Sequence, residues 1–139
     1  MTNIYTSIDL FSGCGGMSLG FKMAGVHSIL ASDIDENCEK TFTRNFPNTP
    51  FLRKDITSIN KIDLDNIIGD NIPDIIIGGP PCQGFSLAGK RDPNDIRNQL
   101  YQYYVKIVSK VQPKVFVMEN VRLLTSMKTT AGELFIDQI

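Results

Sequence analysis

The chain has 139 residues, of which 42% are hydrophobic and 21% are charged, and its 14 basic and 15 acidic residues leave a net charge of −1. These values are typical of one globular domain and argue against a self-sufficient nucleic-acid-binding surface, which is usually basic. The sequence has no apolar run of ~18 residues and no signal-peptide pattern, so we expect a cytoplasmic protein without a membrane segment.

Three cysteines and a single histidine are spread along the chain. Intracellular proteins keep their cysteines as thiols, and this set is a poor group of ligands for zinc. We therefore expect free thiols and no bound metal.

Strands and helices alternate along the sequence. We predict strands over residues 4–9, 28–32, 51–52, 74–77 and 115–118, and helices over residues 17–24, 35–46 and 96–111, with one short helix within residues 56–70. The runs at 74–77 and 115–118 are continuously apolar, as buried parallel strands are. This alternation predicts an α/β fold with a Rossmann-like, doubly wound, mostly parallel sheet covered by helices on both faces.

A glycine-rich turn follows the first predicted strand. It consists of Asp9-Leu10-Phe11-Ser12-Gly13-Cys14-Gly15-Gly16, and its glycines permit a tight turn and a close approach of the backbone to a ligand. Because Ser18 occupies the third glycine position of the dinucleotide-binding fingerprint, this turn alone is weak evidence for a cofactor loop.

Acidic residues follow the second and third predicted strands. Asp33 comes about 20 residues after Gly13, the separation at which a ribose-binding carboxylate lies in dinucleotide-binding folds. We favour ribose binding for Asp33 over a solvated carboxylate, whereas Asp35 is better explained as a helix cap. Asp55 either accepts a hydrogen bond from an adenine amino group or caps the helix that follows it.

The most unusual stretch is Gly79-Pro80-Pro81-Cys82-Gln83-Gly84-Phe85-Ser86, which follows the apolar strand predicted at 74–77. The two prolines stiffen the approach to Cys82, and Gly84 allows a sharp turn beyond it. A buried structural cysteine needs neither neighbour. We therefore predict a functional thiol at Cys82, at the end of the strand where such sheets bind ligands.

Glu119 comes directly after the fifth predicted strand. The fourth and fifth strands of a doubly wound sheet are normally neighbours, so Glu119 and Cys82 are expected to face one pocket. Partial burial there would favour the protonated form of Glu119, and the alternative is a glutamate that caps the next turn. A thiol and a carboxyl group across one pocket suit nucleophilic addition to a ring with a protonatable nitrogen.

Together these motifs resemble the (cytosine-5) DNA methyltransferases. The glycine-rich turn, the Pro-Pro-Cys-Gln stretch and Glu119-Asn120-Val121 occur in that family's order and at its approximate spacing, from residue 4 to about residue 124. The resemblance implies the Rossmann-like fold of S-adenosylmethionine-dependent methyltransferases. It also implies methyl transfer to carbon 5 of cytosine in double-stranded DNA, through a covalent Cys82 adduct on a flipped-out base, with S-adenosylhomocysteine as product and no metal.

The same resemblance implies a role for individual residues. Cys82 would be the nucleophile, Glu119 its acid partner and Arg97 a residue that orients the base. Asp33 would hold the ribose hydroxyls, Ile34 would pack on adenine and Asp55 would bind the adenine amino group. The other implied cofactor contacts are Phe11, Ser12, Gly13, Cys14, Gly15, Gly16, Pro80 and Leu100. Asp33 and Ile34 depart mildly from the family, in which glutamate and an aromatic residue are common at these positions.

Members of the family continue well past the equivalent of residue 139, into a further catalytic motif, a target-recognition region and a C-terminal segment. We therefore expect residues 1–139 to be a truncated, N-terminal portion of the catalytic domain, without the target-recognition region. Such a portion should have little methyltransferase activity alone, and its exposed apolar surface should favour self-association.

Two other functions stay open from the sequence. A transfer-RNA cytosine-5 methyltransferase has the same Pro-Pro-Cys-Gln core, although Gly84-Phe85-Ser86 looks more like the DNA enzymes. A non-catalytic module that binds the methyl donor or a partner chain would keep the fold, although the presence of both Cys82 and Glu119 argues against it.

Overall fold

The computed structural model describes residues 4–81 and 99–119. The strands are β1 (Tyr5–Leu10), β2 (Val26–Asp33), β3 (Phe51–Arg53), β4 (Ile75–Gly78) and β5 (Val115–Met118). The helices are α1 (Gly16–Met23), α2 (Glu36–Asn45), α3 (Lys61–Ile68) and α4 (Leu100–Val111), and a 3₁₀ helix spans Ile56–Ser58. All five predicted strands and the three longer predicted helices are present, although the first residues of the helix predicted from residue 96 lie outside the described residues.

The five strands form one parallel sheet in the order β3-β2-β1-β4-β5. The chain moves outward from β1 to β3 and then crosses back to place β4 on the other side of β1. The direction of winding therefore reverses between β1 and β4, which in open α/β sheets leaves a crevice beyond the carboxyl ends of these two strands. The predicted fold class is confirmed.

Short polar side chains cap the start of α2, of the 3₁₀ helix and of α3. Asp35 precedes α2, and its Oδ1 accepts hydrogen bonds from the backbone N–H groups of Asn37 and Cys38, at 2.6 and 3.2 Å. Asn60 and Asp63 cap the start of α3 reciprocally. The region 56–70 holds the 3₁₀ helix and α3, so the prediction of one short helix there was wrong, because Asp55 and Asn60 each start a helix.

The core lies on both faces of the sheet, because successive residues of a strand point to opposite sides. Leu30 belongs to the larger cluster and its neighbour Ala31 to the smaller one. The larger cluster also contains Ile8, Leu10, Ile56, Ile59, Leu64, Ile68, Ile76, Tyr104 and Ile107. In the smaller cluster, Phe42 of α2 stacks on Phe46, the C-cap of that helix, with ring centroids 4.6 Å apart.

The fifth strand is not buried, contrary to the prediction from its apolar sequence. The exposed fractions of Val115, Phe116 and Val117 are 53%, 51% and 39%. Within the described part of the chain, β5 is an edge strand that pairs with β4, and the ring of Tyr104 in α4 lies edge-on to Phe116 at 6.5 Å. A continuous apolar run therefore identified the strand correctly but not its degree of burial.

Over residues 4–81 and 99–119, no helix has the length and apolar character needed to cross a membrane. The same residues contain no group of three or more His, Cys, Asp or Glu side chains that could hold a metal ion. The prediction that the protein has no metal concerns the whole chain and stays a prediction.

Candidate functional site

A cavity of about 620 Å³ opens at the carboxyl ends of the strands, beside the switch point between β1 and β4. Residues after β1, β2, β3 and β4 contribute to its walls, together with the first residue of α4. The lining residues are Phe11, Ser32, Asp33, Ile34, Lys54, Asp55, Ile56, Thr57, Gly79, Pro81 and Leu100. This is where open α/β sheets bind their ligands.

The turn between β1 and α1 has an unusual backbone. Phe11, Gly13 and Gly15 all have positive φ, at 57°, 53° and 92°. A Cβ on Gly15 would lie 2.6 Å from Cε2 of Phe46, so both its backbone angle and its surroundings require glycine there. The N–H of Ser12 donates to the carbonyl of Ser32 at 3.0 Å, which joins the turn to β2.

Asp33, the last residue of β2, connects two loops at the cavity. Its Oδ2 accepts from the backbone N–H of Gly13 at 2.9 Å, and its Oδ1 accepts from the backbone N–H of Asp35 at 3.1 Å. Each carboxylate oxygen has two lone pairs, so both oxygens can accept a further hydrogen bond from a ligand. Asp33 therefore lines the cavity and also holds the glycine-rich turn against β2.

Asp55 follows β3 and uses one oxygen as a helix cap. Its Oδ1 accepts from the backbone N–H and the hydroxyl of Thr57, at 2.9 and 2.8 Å. The capping alternative for Asp55 is thus present, and it leaves the second carboxylate oxygen for another donor. The ammonium of neighbouring Lys54 binds both carboxylate oxygens of Asp63 at 2.9 and 2.8 Å, which fastens this wall of the cavity to α3.

Another carboxylate, that of Asp9 in β1, is buried against α1 and is only 1% exposed. The hydroxyl of Ser18 donates to its Oδ2 at 2.6 Å, and the backbone of Ser18 also hydrogen-bonds it. Ser18 and Ser7 continue the polar cluster through the hydroxyl of Ser28, at 3.2 and 3.3 Å. Burial raises the pKa of Asp9 to about 6, the Ser18 hydrogen bonds oppose this, and the charge of Asp33 adds to it.

Replacing Asp9 by asparagine should flatten the dependence of stability on pH. Because the folded pKa of Asp9 is about 6 and its model value is 3.8, the folded protein binds this proton more tightly than the unfolded chain. The stability that it contributes is complete below about pH 4 and is lost as the pH rises through 6. In urea unfolding from pH 4 to 7, the wild type should lose on the order of 2 kcal/mol relative to Asp9→Asn. Parallel pH profiles for the two proteins would contradict this assignment.

The other wall of the cavity lies at the ends of β4 and β5. Gly79 and Pro81 line it, and the backbone N–H of Glu119 donates to the carbonyl of Gly78 at 2.9 Å. The Glu119 carboxylate lies over Gly79, since a Cβ on that glycine would be 3.0 Å from Oε2. Glu119 is exposed, so the predicted partial burial was wrong for the described structure. It extends beyond the end of an edge strand, where little of the described chain covers it.

Five predicted cofactor residues, Phe11, Asp33, Ile34, Asp55 and Leu100, line this one cavity. Two of the predicted catalytic residues, Cys82 and Arg97, lie outside the described residues, although Pro81, directly before Cys82, lines the cavity.

The other predicted contacts are near the cavity but outside its lining. Ser12 is buried, and its hydroxyl has no hydrogen-bond partner in the described part of the chain. Cys14 is exposed, Gly16 begins α1 and Pro80 is buried. Gly13 and Gly15 shape the turn rather than the cavity wall.

Sequence reasoning missed several lining residues, among them Ser32, Lys54 and Thr57. The first two directly precede predicted residues, Asp33 and Asp55, at strand ends. That adjacency was a usable signal, because every strand-end turn of a parallel sheet faces the same edge. Ile56 also adjoins Asp55, but its apolar side chain looks like core.

The parallel sheet, the glycine-rich turn after β1 and the carboxylates after β2 and β3 define a Rossmann-like α/β protein with a candidate site for a nucleotide-type cofactor. The model of one family, the C-5 cytosine-specific DNA methylases, matches residues 5–137. The chain belongs to this family.

Relatives and solved structures agree with this assignment. The chain is 50% identical over 132 residues to the Type II methyltransferase M.DdeI of Desulfomicrobium norvegicum, covering 95% of this chain and 31% of that protein. It is 48% identical to the Type II methyltransferase M1.HphI of Haemophilus parahaemolyticus, covering 91% of this chain and 36% of that protein. A crystal structure of a putative DNA modification methyltransferase from an E. coli prophage matches with a TM-score of 0.75 and 42% identity, over 84% of this chain and 32% of that one. The chain thus spans about a third of the length of these relatives.

Proposed function

We propose that the protein transfers a methyl group from S-adenosylmethionine to carbon 5 of cytosine in double-stranded DNA, and that this chain supplies the cofactor site and the catalytic thiol. One observation carries the proposal. The cavity at the switch point is lined on one side by Asp33, Ile34 and Asp55, and on the other by Gly79 and by Pro81, the residue directly before Cys82. A cofactor held by the first wall would lie next to a reacting group on the second.

The cofactor wall has hydrogen-bond acceptors suited to an adenosyl group. Asp33 would accept from the ribose hydroxyls with the lone pairs that its bonds to Gly13 and Asp35 leave over. Asp55 would accept from the adenine amino group with the oxygen that does not bind Thr57. Ile34 and Phe11 supply apolar surface on the same cavity. When bound, the cofactor supplies a sulfonium methyl group as electrophile.

The chemical step would depend on Cys82 and Glu119. The Cys82 thiolate would add to carbon 6 of cytosine, which makes carbon 5 electron-rich. Carbon 5 would then bond to the methyl carbon while the bond from that carbon to sulfur breaks, with S-adenosylhomocysteine as the leaving group. Glu119 holds a proton at ring nitrogen 3 while charge develops there. A base then removes the proton from carbon 5, the electron pair returns to the ring and the thiolate leaves. Arg97 would orient the cytosine, which must be flipped out of the duplex.

The covalent step is tested with the whole protein and duplex DNA containing 5-fluorocytosine, which has no removable proton at carbon 5. With S-adenosylmethionine present, intact mass should show one protein–DNA adduct, and Cys82→Ser should show none. Cys38→Ser is the matched control, because Cys38 is a half-buried thiol at the start of α2 and should leave adduct formation intact.

The identity of the methyl acceptor is tested by comparing transfer RNA with DNA as substrates of the whole protein. The proposal requires methyl incorporation into DNA. Methylation of transfer RNA alone would overturn the DNA assignment, and absence of any Cys82-dependent adduct would overturn the catalytic role. Self-association of the chain stays a prediction, for which sedimentation over a range of concentrations is the measurement.

A further inference from the structure

Tyr104 of α4 is fully buried and joins two strands through its hydroxyl. The oxygen lies 3.0 Å from the carbonyl oxygen of Ile76 in β4 and 3.0 Å from that of Val117 in β5. A hydroxyl has one proton to donate, so the two carbonyls share one donor. Burial raises the pKa of Tyr104, so that the hydroxyl keeps its proton throughout the physiological range.

These two carbonyls belong to the strands that lead to the proposed reacting groups. Ile76 is two residues before Gly78, after which the chain runs through Gly79 and Pro81 to Cys82. Val117 is two residues before Glu119, whose N–H donates to the carbonyl of Gly78. The tyrosine thus contacts both of the strands that precede Cys82 and Glu119 in the sequence.

The same helix also reaches the cofactor wall. Leu100, one turn before Tyr104 and on the same face of α4, lines the cavity. Cε2 of Tyr104 would lie 2.9 Å from a Cβ on Gly78, so the ring packs directly on the backbone at the end of β4. A shift of the tyrosine would therefore move β4 and β5 relative to each other and to the cavity.

Filling the core does not require the hydroxyl. Phenylalanine has almost the same volume and no polar atom to satisfy, whereas a buried hydroxyl is costly unless it is hydrogen-bonded. In β5, moreover, Val115, Phe116 and Val117 are substantially exposed, so little side-chain packing holds this strand within the described residues. The hydroxyl provides a directional bond where packing is weak.

We infer that Tyr104 is a positioning residue that sets the separation of the ends of β4 and β5, the strands that lead to Cys82 and Glu119, by bonding one carbonyl of each strand. This inference rests on the proposed function. Small errors in the placement of reacting groups lower rates strongly, and about 1 Å can cost roughly a hundredfold. Loss of one hydroxyl from an otherwise intact core should lower the rate of methyl transfer in the same way but by a smaller factor.

The test compares Tyr104→Phe with wild type in the whole protein, at a temperature where melting curves show both to be folded. The single-turnover rate of methyl transfer to DNA should fall roughly tenfold in the variant, while the dissociation constant for S-adenosylhomocysteine stays within about twofold. Tyr103→Phe is the matched control, because it removes a hydroxyl from the adjacent, half-buried residue of the same helix and should keep the wild-type rate.

The outcomes separate the two proposals. A wild-type protein that does not methylate cytosine overturns the proposed function and this inference with it. An active wild type with an unchanged Tyr104→Phe rate overturns the positioning role alone. Equal losses in rate and in cofactor affinity would also overturn it, because they would indicate general damage to the fold rather than misplacement of Cys82 and Glu119.

Discussion

Replacing Asp33 by alanine should weaken the binding of S-adenosylhomocysteine about a hundredfold or more, beyond the range of an ordinary calorimetric titration. Two effects combine in this variant. The proposed ribose hydroxyls lose a charged acceptor, and hydrogen bonds to charged groups contribute about 1.5–3 kcal/mol each. The backbone N–H of Gly13 also loses its 2.9 Å bond, which weakens the attachment of the glycine-rich turn to β2, although the Ser12 N–H still donates to the carbonyl of Ser32.

Asp35→Ala is the control for this variant, because it removes an equal carboxylate two residues away. Asp35 caps α2 and is not among the cavity-lining residues. Its loss should lower stability by about 1 kcal/mol while cofactor binding continues. Equal affinity of Asp33→Ala and wild type would show that the carboxylate is not a cofactor contact. Equal weakening of cofactor binding in both variants would show that the effect comes from the turn after β2, which contains both Asp33 and Asp35, and not from a ribose contact.

The order of elements and their convergence at one edge could be predicted because both follow from local patterns. Alternating strands and helices imply a parallel sheet, and in such a sheet every strand-end turn faces the same side. Asp33, Asp55 and Gly79 are far apart in the sequence, yet each comes within three residues of the end of a predicted strand. That these residues line one cavity could therefore be predicted without knowing how the side chains pack.

Contacts made across the sheet could not be predicted in this way. Asp9 reads as one more polar residue at a strand end, and only the packing of α1 over β1 shows that it is buried against Ser18. In the sequence Tyr104 is one of three tyrosines of α4, and its hydroxyl bonds to β4 and β5 depend on the tertiary position of that helix.

The exposure of β5 and Glu119 differs from the prediction for a related reason. An apolar strand is buried only if another element covers it, and the sequence of a strand does not say what lies beside it. Val115–Met118 has the composition of a central strand but occupies an edge of the described sheet. The burial of Glu119, at the end of this strand, likewise depends on which element covers it, and the sequence of the strand does not show that.

Gly78→Ala should destabilise the protein by about 3 kcal/mol, the upper end of the cost of overpacking a core. A Cβ at this position would overlap the backbone carbonyl oxygen of Leu10 and lie 2.9 Å from Cε2 of Tyr104. Neither neighbour can move easily, because Leu10 belongs to the central strand β1 and Tyr104 is bonded to two strands. Thermal unfolding should show a midpoint lower by roughly 10 °C.

Gly20→Ala is the matched control, because it adds the same methyl group at a helical glycine where the new Cβ would meet nothing within 4 Å apart from the helix's own backbone. Alanine has the higher helix propensity, so this variant should be more stable than wild type by about 0.5–1 kcal/mol. The two variants should therefore move the melting midpoint in opposite directions. A Gly78→Ala protein that melts at or above the wild-type temperature would mean that β4 does not lie this close to β1 and α4. The proposed placement of Cys82 beside the cofactor wall would then lose its structural basis.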